Sequence, residues 1–202
     1  MPRTITKTVY ELSELEGSAK EEALHNMILN FDYPWGSENE DTLREFEKIF
    51  PVKVKRFQYG GYGGKYIDFD FENYDEIADL SGIRLMKYIY NNYFYDIYKG
   101  KYYNKCYAEN GRFIHKYRYS KIKFEECCNL TGYCIDIDIL KPIWDFLKNP
   151  NDFTTFEDLM QECLESWLSA CEKDHDGFYG EESLIEHAEI NNIEFDENGN
   201  IV

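Results

Sequence analysis

Hydrophobic and polar positions along the chain follow two rhythms, one of period two and one near 3.6, and the switches between them mark the elements. Residues 4–12, "TITKTVYEL", alternate Ile5, Lys7 and Val9 with Thr and Tyr and predict an opening strand. The rhythm then lengthens. Ala19, Ala23, Met27 and Phe31 recur at helical spacing behind Ser18, a capping residue type with Glu21 three residues on, so 18–31 reads as an amphipathic helix. A second helix over 38–49 opens on Glu38, Glu40 and Asp41, which suit the positive end of a helix dipole, and stops before Pro51.

Period two returns in "VKVKRFQY" (52–59) and "KYIDFDFE" (65–72), which only "GGYGG" separates, and this predicts a β-hairpin over 52–72. In 82–98 the residues Ile83, Met86, Ile89, Tyr90 and Phe94 share one helical stripe, although so many aromatics also favour strands. Residues 111–126 form a long alternating strand. "GYCIDIDIL" (132–140) reads as another strand or a strand entering a helix, with Pro142 placed where a first helical turn tolerates it, ahead of "IWDFLKN". The clearest helix is 154–174, capped by Thr154 or Thr155, where Phe156, Leu159, Met160, Cys163, Leu164, Trp167, Leu168 and Cys171 make one continuous stripe. A last helix over 180–192 precedes an Asn-Gly turn that returns a short strand.

With no internal repeat and no low-complexity linker, the expectation is a single α+β domain over 1–202. It has an antiparallel sheet of about four to five strands packed on helices 18–31, 38–49, 82–98, 154–174 and 180–192, and an acidic, mostly helical part from about residue 140 to 202. Tyr, Phe and Trp total 35, ample material for a core. No apolar run approaches the roughly 18 residues of a membrane helix and the start lacks a signal-peptide run, so a cytoplasmic protein is expected, with its six cysteines as free thiols.

Charge changes the picture more than composition does. Of the net −17, residues 1–50 carry −6, 51–150 carry +3 and 151–202 carry −14. An acidic surface of that density repels nucleic acid and anionic lipid and suits a basic protein partner or imitation of a nucleic-acid backbone; the alternative is an acid face that only confers solubility.

Four motifs carry candidate chemistry. The glycines Gly60, Gly61, Gly63 and Gly64 lead into a strand rather than a helix and match no phosphate-binding fingerprint, so they read as a hairpin turn. Asp68 and Asp70 share one strand face, as do Asp136 and Asp138 if "IDIDI" is a strand; paired, the four would suit Mg²⁺ or Mn²⁺ in phosphoryl transfer. The competing reading is a solvated face ion-paired by Lys116 and Arg118. Residues 98–124 interleave Lys99, Lys101, Lys105, Arg112, Lys116, Arg118, Lys121 and Lys123 with aromatics, a pattern that stacks on single-stranded nucleic acid or serves as an internal counter-surface for the acids. Cys127, Cys128 and Cys134, with Cys106 and His115, match no standard zinc spacing, and His25, His115, His175 and His187 stand in no nucleophile-base relation to a cysteine.

The two ends of the chain, "TVYELSELEGSAKEEAL" (8–24) and "GEESLIEHAEINNIEFDENGNIV" (180–202), resemble those of a family of small acidic phage and prophage proteins, some labelled antitoxin-like. The strand, glycine-rich turn, strand order in the middle is similar too, but "YGGYGG" replaces the Gln-Gly-Asp-Gly-like turn of that family. The shared motifs are structural rather than catalytic, so the resemblance implies the origin of a phage accessory protein more than an activity; no catalytic residue and no cofactor are expected. The expected function is an anti-CRISPR-like inhibitor, monomer or homodimer, that occupies the basic nucleic-acid-binding surface of a bacterial CRISPR effector or nuclease through Glu157, Asp158, Glu162, Glu165, Glu172, Glu181, Glu182, Glu186 and Glu189. The alternatives are an antitoxin-like regulator and a metal-dependent phosphoryl-transfer enzyme using Asp68, Asp70, Asp136 and Asp138.

Overall fold

The computed structural model describes residues 7–60, 64–72, 77–102 and 122–202. Its architecture is α+β. The helices are α1 (Gly17–Asn30), α2 (Gly36–Ile49), α3 (Gly82–Ile97), α4 (Ile135–Lys148), α5 (Phe156–Phe178) and α6 (Glu181–Asn191), and the strands are β1 (Val52–Gln58), β2 (Tyr66–Phe71), β3 (Lys99–Tyr102) and β4 (Ile122–Glu125). Packing divides the chain into a terminal unit, Met1–Gly36 with Glu172–Val202, and a central unit, Ser37–Cys171.

The core of the central unit is built by the stripes that helical spacing lines up. Helix α5 buries Phe156, Leu159, Met160, Cys163, Leu164, Trp167, Leu168 and Cys171, and α4 adds Ile139, Leu140, Ile143, Trp144, Phe146 and Leu147. From α2 come Leu43 and Phe46, and from α3 Leu85, Ile89 and Ile97. Burying each large side chain stabilises the unit by about 1.5–3 kcal/mol. Polar atoms inside this core are paired: the indole N–H of Trp167 donates to the Asn39 carbonyl at 3.1 Å, and that of Trp144 donates to the Ile97 carbonyl, at the end of α3, at 2.9 Å. Helix α5 starts at a capping box in which Thr155 caps the Asp158 amide at 3.1 Å and the Asp158 carboxylate accepts the Thr155 amide at 3.0 Å.

The hairpin forms as the alternation requires. β1 and β2 pair antiparallel in the register Val52↔Phe71, Val54↔Phe69, Arg56↔Asp68, Phe57↔Ile67, with a bulge at Lys55. Gly60 and Gly64 sit at φ 73° and 71°, the left-handed region that favours glycine; Gly61 and Gly63, expected in the same turn, lie outside the described residues. β3 and β4 make a second antiparallel pair. Among the described residues the strands therefore form two separate two-stranded sheets, not one sheet of four or five. Of the long strand expected over 111–126, residues 111–121 lie outside the described residues and 122–125 are β4.

Three local expectations are corrected. Of the opening strand, 4–6 lie outside the described residues; Tyr10 makes one isolated bridge to Phe195, and Leu12–Glu14 turn into a 3₁₀ helix that buries Leu12, closed by the Glu11 amide donating to the Glu14 carboxylate at 2.9 Å. Ser18 does not cap α1, which begins one residue earlier at Gly17. Residues 135–140 are helix, not strand, and Pro142 is its eighth residue rather than a first-turn proline.

The terminal unit has its own small core. Leu12, Leu15, Ala23, Met27, Leu184, Ala188 and Phe195 are buried together, and Phe195 pairs with both Tyr10 and Ile201. The Asn198-Gly199 turn is pressed on α1: Gly199 sits at φ 85°, and its carbonyl accepts the Asn26 side-chain amide at 3.1 Å.

Candidate functional site

Of the nine acids expected to form a partner surface, four belong to the central unit and five to the terminal one. On α5, Asp158, Glu162 and Glu165 follow one another at i, i+4 and i+7, opposite the buried stripe, while Glu157 is half-buried in the first turn. Hydrogen bonds from the Thr155 side chain and backbone hold the Asp158 carboxyl below the usual carboxylate range, so this residue acts as a helix cap. Glu162 is pushed the other way, by partial desolvation first and then by the charges of Asp158 and Glu165. An open groove of about 480 Å³, lined among others by Lys141, Phe146, Phe153 and Ser166, runs beside it. Gln161 donates to Glu165 at 2.7 Å, and no Lys or Arg among the described residues forms an ion pair with Glu157, Asp158, Glu162 or Glu165.

In the terminal unit Glu182, Glu186 and Glu189 repeat the same spacing on α6, all exposed and opposite the buried Leu184 and Ala188. Glu181 pairs with Lys20 at 2.7 Å, and Glu172 is half-buried. Charge segregates with the packing units: the terminal unit carries 16 acidic against 4 basic side chains, net −12, and the central unit 23 against 18, net −5.

The four aspartates do not come together as a metal site would need. Asp68 and Asp70 are ion-paired across the hairpin with Arg56 at 3.0 Å and Lys55 at 2.6 Å, the bulge having freed Lys55 to reach Asp70. The partners expected instead, Lys116 and Arg118, lie outside the described residues. Asp136 is fully buried at the start of α4: its carboxylate accepts the amides of Leu130, Thr131 and Gly132 at 3.0, 2.8 and 2.9 Å and the hydroxyls of Thr131 and Thr42 at 2.7 and 3.0 Å. That carboxylate is a structural clasp. Asp138 is on the same helix, one residue beyond Ile137. Among the described residues no group of three or more His, Cys, Asp or Glu is placed to hold a metal ion.

Cys127, Cys128, Cys134, Cys163 and Cys171 carry no disulfide. Burial pushes the thiols of Cys128 and Cys163 up, which disfavours the reactive thiolate in both. Cys106 and His115 lie outside the described residues, as do Lys105, Arg112 and Lys121; of the basic aromatic segment only its two ends, β3 and β4, are described.

Sequence reasoning passed over an aromatic cluster in the terminal unit. Tyr33, Trp35 and Phe178 pack edge to face in all three pairings, with ring centroids 5.6 to 5.8 Å apart. His175 and Tyr179 extend the cluster, and the Tyr33 hydroxyl donates to the Asp174 carboxylate. Its signal was present as aromatics embedded in acid, "FDYPW" and "DHDGFY". No helix among the described residues is long and apolar enough to cross a membrane. The chain matches no known protein family, no curated protein and no solved structure.

Proposed function

We propose that this protein is an acidic binding protein that docks on the basic nucleic-acid-binding surface of a bacterial defence protein, a nuclease or CRISPR effector, and keeps the natural polyanion out. The observation that carries this reading is the concentration of charge, net −12, in the terminal unit, where α6 lines up Glu182, Glu186 and Glu189 on one exposed stripe. Like charges held at successive turns repel one another, so the arrangement destabilises the free protein slightly and gains most from an incoming cationic surface. The segments 8–24 and 180–202, which resemble the ends of small acidic phage proteins, both fall in this unit, and that supports a phage-encoded origin.

The test is capture of a partner from bacterial lysate on the tagged protein, elution in a salt gradient, and then competition between this protein and DNA or RNA for the purified partner. Docking on a nucleic-acid channel predicts release at moderate salt and mutually exclusive binding. A partner that holds nucleic acid and this protein together overturns the mimicry, and a toxin encoded beside the gene replaces it with an antitoxin role.

A further inference from the structure

The acids of the terminal unit supply long-range attraction but no fixed geometry, and tight protein interfaces concentrate their affinity in a few rigid aromatic or arginine anchors. One exposed feature of the unit has that character. Trp35 leaves 41% of its surface open, yet its ring is braced edge to face by Tyr33 at 5.6 Å and by Phe178 at 5.6 Å. Pro34 precedes it and fixes one backbone dihedral of the turn. A ring already held in place loses little side-chain freedom when a partner lands on it.

The chemistry around the ring selects the occupant. The indole face is the most electron-rich of the aromatic side chains and attracts a cation placed over it. Tyr33, next in the cluster, donates its hydroxyl to the carboxylate of Asp174, which pushes electron density back into the phenol ring. Asp32 and Asp176 are exposed and flank the cluster in sequence, and Lys173 is the sole Lys or Arg of 172–202. Between the two natural cations, guanidinium is planar, weakly hydrated and stacks on aromatic faces, whereas ammonium is a strongly hydrated point charge.

We propose that Trp35, braced by Tyr33 and Phe178, is the anchor on which the terminal unit captures an arginine side chain of its basic partner. The proposal rests on the docking function above and adds to it a residue outside the acidic stripes.

The protein labelled with ¹⁵N gives one indole N–H signal for each of its three tryptophans. Trp144 and Trp167 donate theirs to main-chain carbonyls at 2.9 and 3.1 Å inside the central unit, so they serve as internal controls. Titration with hexa-arginine amide is expected to shift the Trp35 signal and leave the other two in place, with smaller shifts from hexa-lysine amide and none from neutral hexa-citrulline. Calorimetry on the same peptide should show Trp35→Ala weakening binding by about threefold to fivefold, while Trp35→Phe, which keeps a ring, loses less.

If hexa-arginine shifts α6 amides and not the Trp35 indole, the anchor is wrong while acidic docking stands. Equal shifts from hexa-lysine overturn the assignment to arginine. If a captured partner proves to bind elsewhere on the protein, the docking function fails even though the Trp35 shift with hexa-arginine is seen.

Discussion

The hydroxyl of Ser166 on α5 donates to the main-chain carbonyl of Asp138 on α4 at 2.7 Å. This carbonyl is the acceptor that Pro142, four residues on and without an N–H, leaves unserved in the helical ladder. A side chain from one helix thus repairs the hydrogen bond another helix cannot make. Replacing Ser166 by Ala should cost about 1–2 kcal/mol by urea denaturation, because a part-buried carbonyl loses its donor. In the Pro142→Ala background the restored amide serves the same carbonyl, and the cost of Ser166→Ala should fall by about half or more. Strict additivity of the two substitutions would show that Ser166 does not stand in for the missing amide.

Asp136 gathers three amides and two hydroxyls, one of them from Thr42 on α2, and so ties the 130–132 loop and two helices to one buried charge. Removing it takes the acceptor from three amides, while the two hydroxyls, 3.0 Å apart, can still bond each other. Asp136→Ala is expected to destabilise the protein by about 3–5 kcal/mol, and a loss below about 1 kcal/mol would contradict the clasp.

Asp158 and Glu162, one turn apart, respond to pH with opposite sign. The Asp158 carboxyl is held low by Thr155, so its contribution is present above the unfolded value of about 3.9 and is lost as pH falls through the lower folded value. Glu162 is held high by desolvation and by its acidic neighbours, so its ionised form penalises the folded state above the folded value, and the penalty is absent below the unfolded value of about 4.3. Chemical denaturation across pH should find Glu162→Gln stabilising at neutral pH and neutral in acid, and Asp158→Asn destabilising at neutral pH. A destabilising Glu162→Gln at neutral pH would refute the repulsion.

Two glycines at positive φ should differ in what an added methyl does. At Gly82 the new Cβ meets the Asp152 carboxylate oxygen at 2.0 Å, the mobile end of a side chain; at Gly199 it meets the Ala19 carbonyl oxygen at 2.2 Å and the Ala23 amide at 2.8 Å, both backbone of α1. Backbone yields less than a side chain. Gly199→Ala should therefore cost about 2–4 kcal/mol and Gly82→Ala less, read as melting temperatures; the reverse order would contradict the close seating of the turn on α1.

The elements legible in the sequence are those whose local rhythm agrees with their final packing. The stripe from Phe156 to Cys171 and the alternation on either side of the glycine turn left one structure each, and both formed. "IDIDI" misled because its period of two is real, yet only Asp136 and Ile139 of those five are buried; Leu140, Ile143, Trp144 and Leu147 continue the helical spacing from Ile139 and decide the outcome. The acids on α5 and α6 were legible as exposed stripes because charge opposite an apolar face needs no tertiary information. Their division between two units was not, since it depends on how the chain ends fold together. Nor was the capping role of Asp158, which depends on Thr155 rather than Thr154 starting the helix. Trp35 escaped notice because the contacts that brace it, directly to Phe178 and through Tyr33 to His175, join residues more than a hundred positions apart.

The central claim, that an acidic surface of the terminal unit docks on a basic partner, is tested most directly by the affinity for the captured partner as a function of salt, for the natural protein and for Glu182→Lys/Glu186→Lys/Glu189→Lys. Docking through these acids predicts that affinity falls steeply as salt rises, that the charge-reversed protein binds far more weakly, and that its own salt dependence is shallower, because screening then has less attraction to remove. Affinity that stays level from low to high salt, or is the same for both proteins, would contradict it.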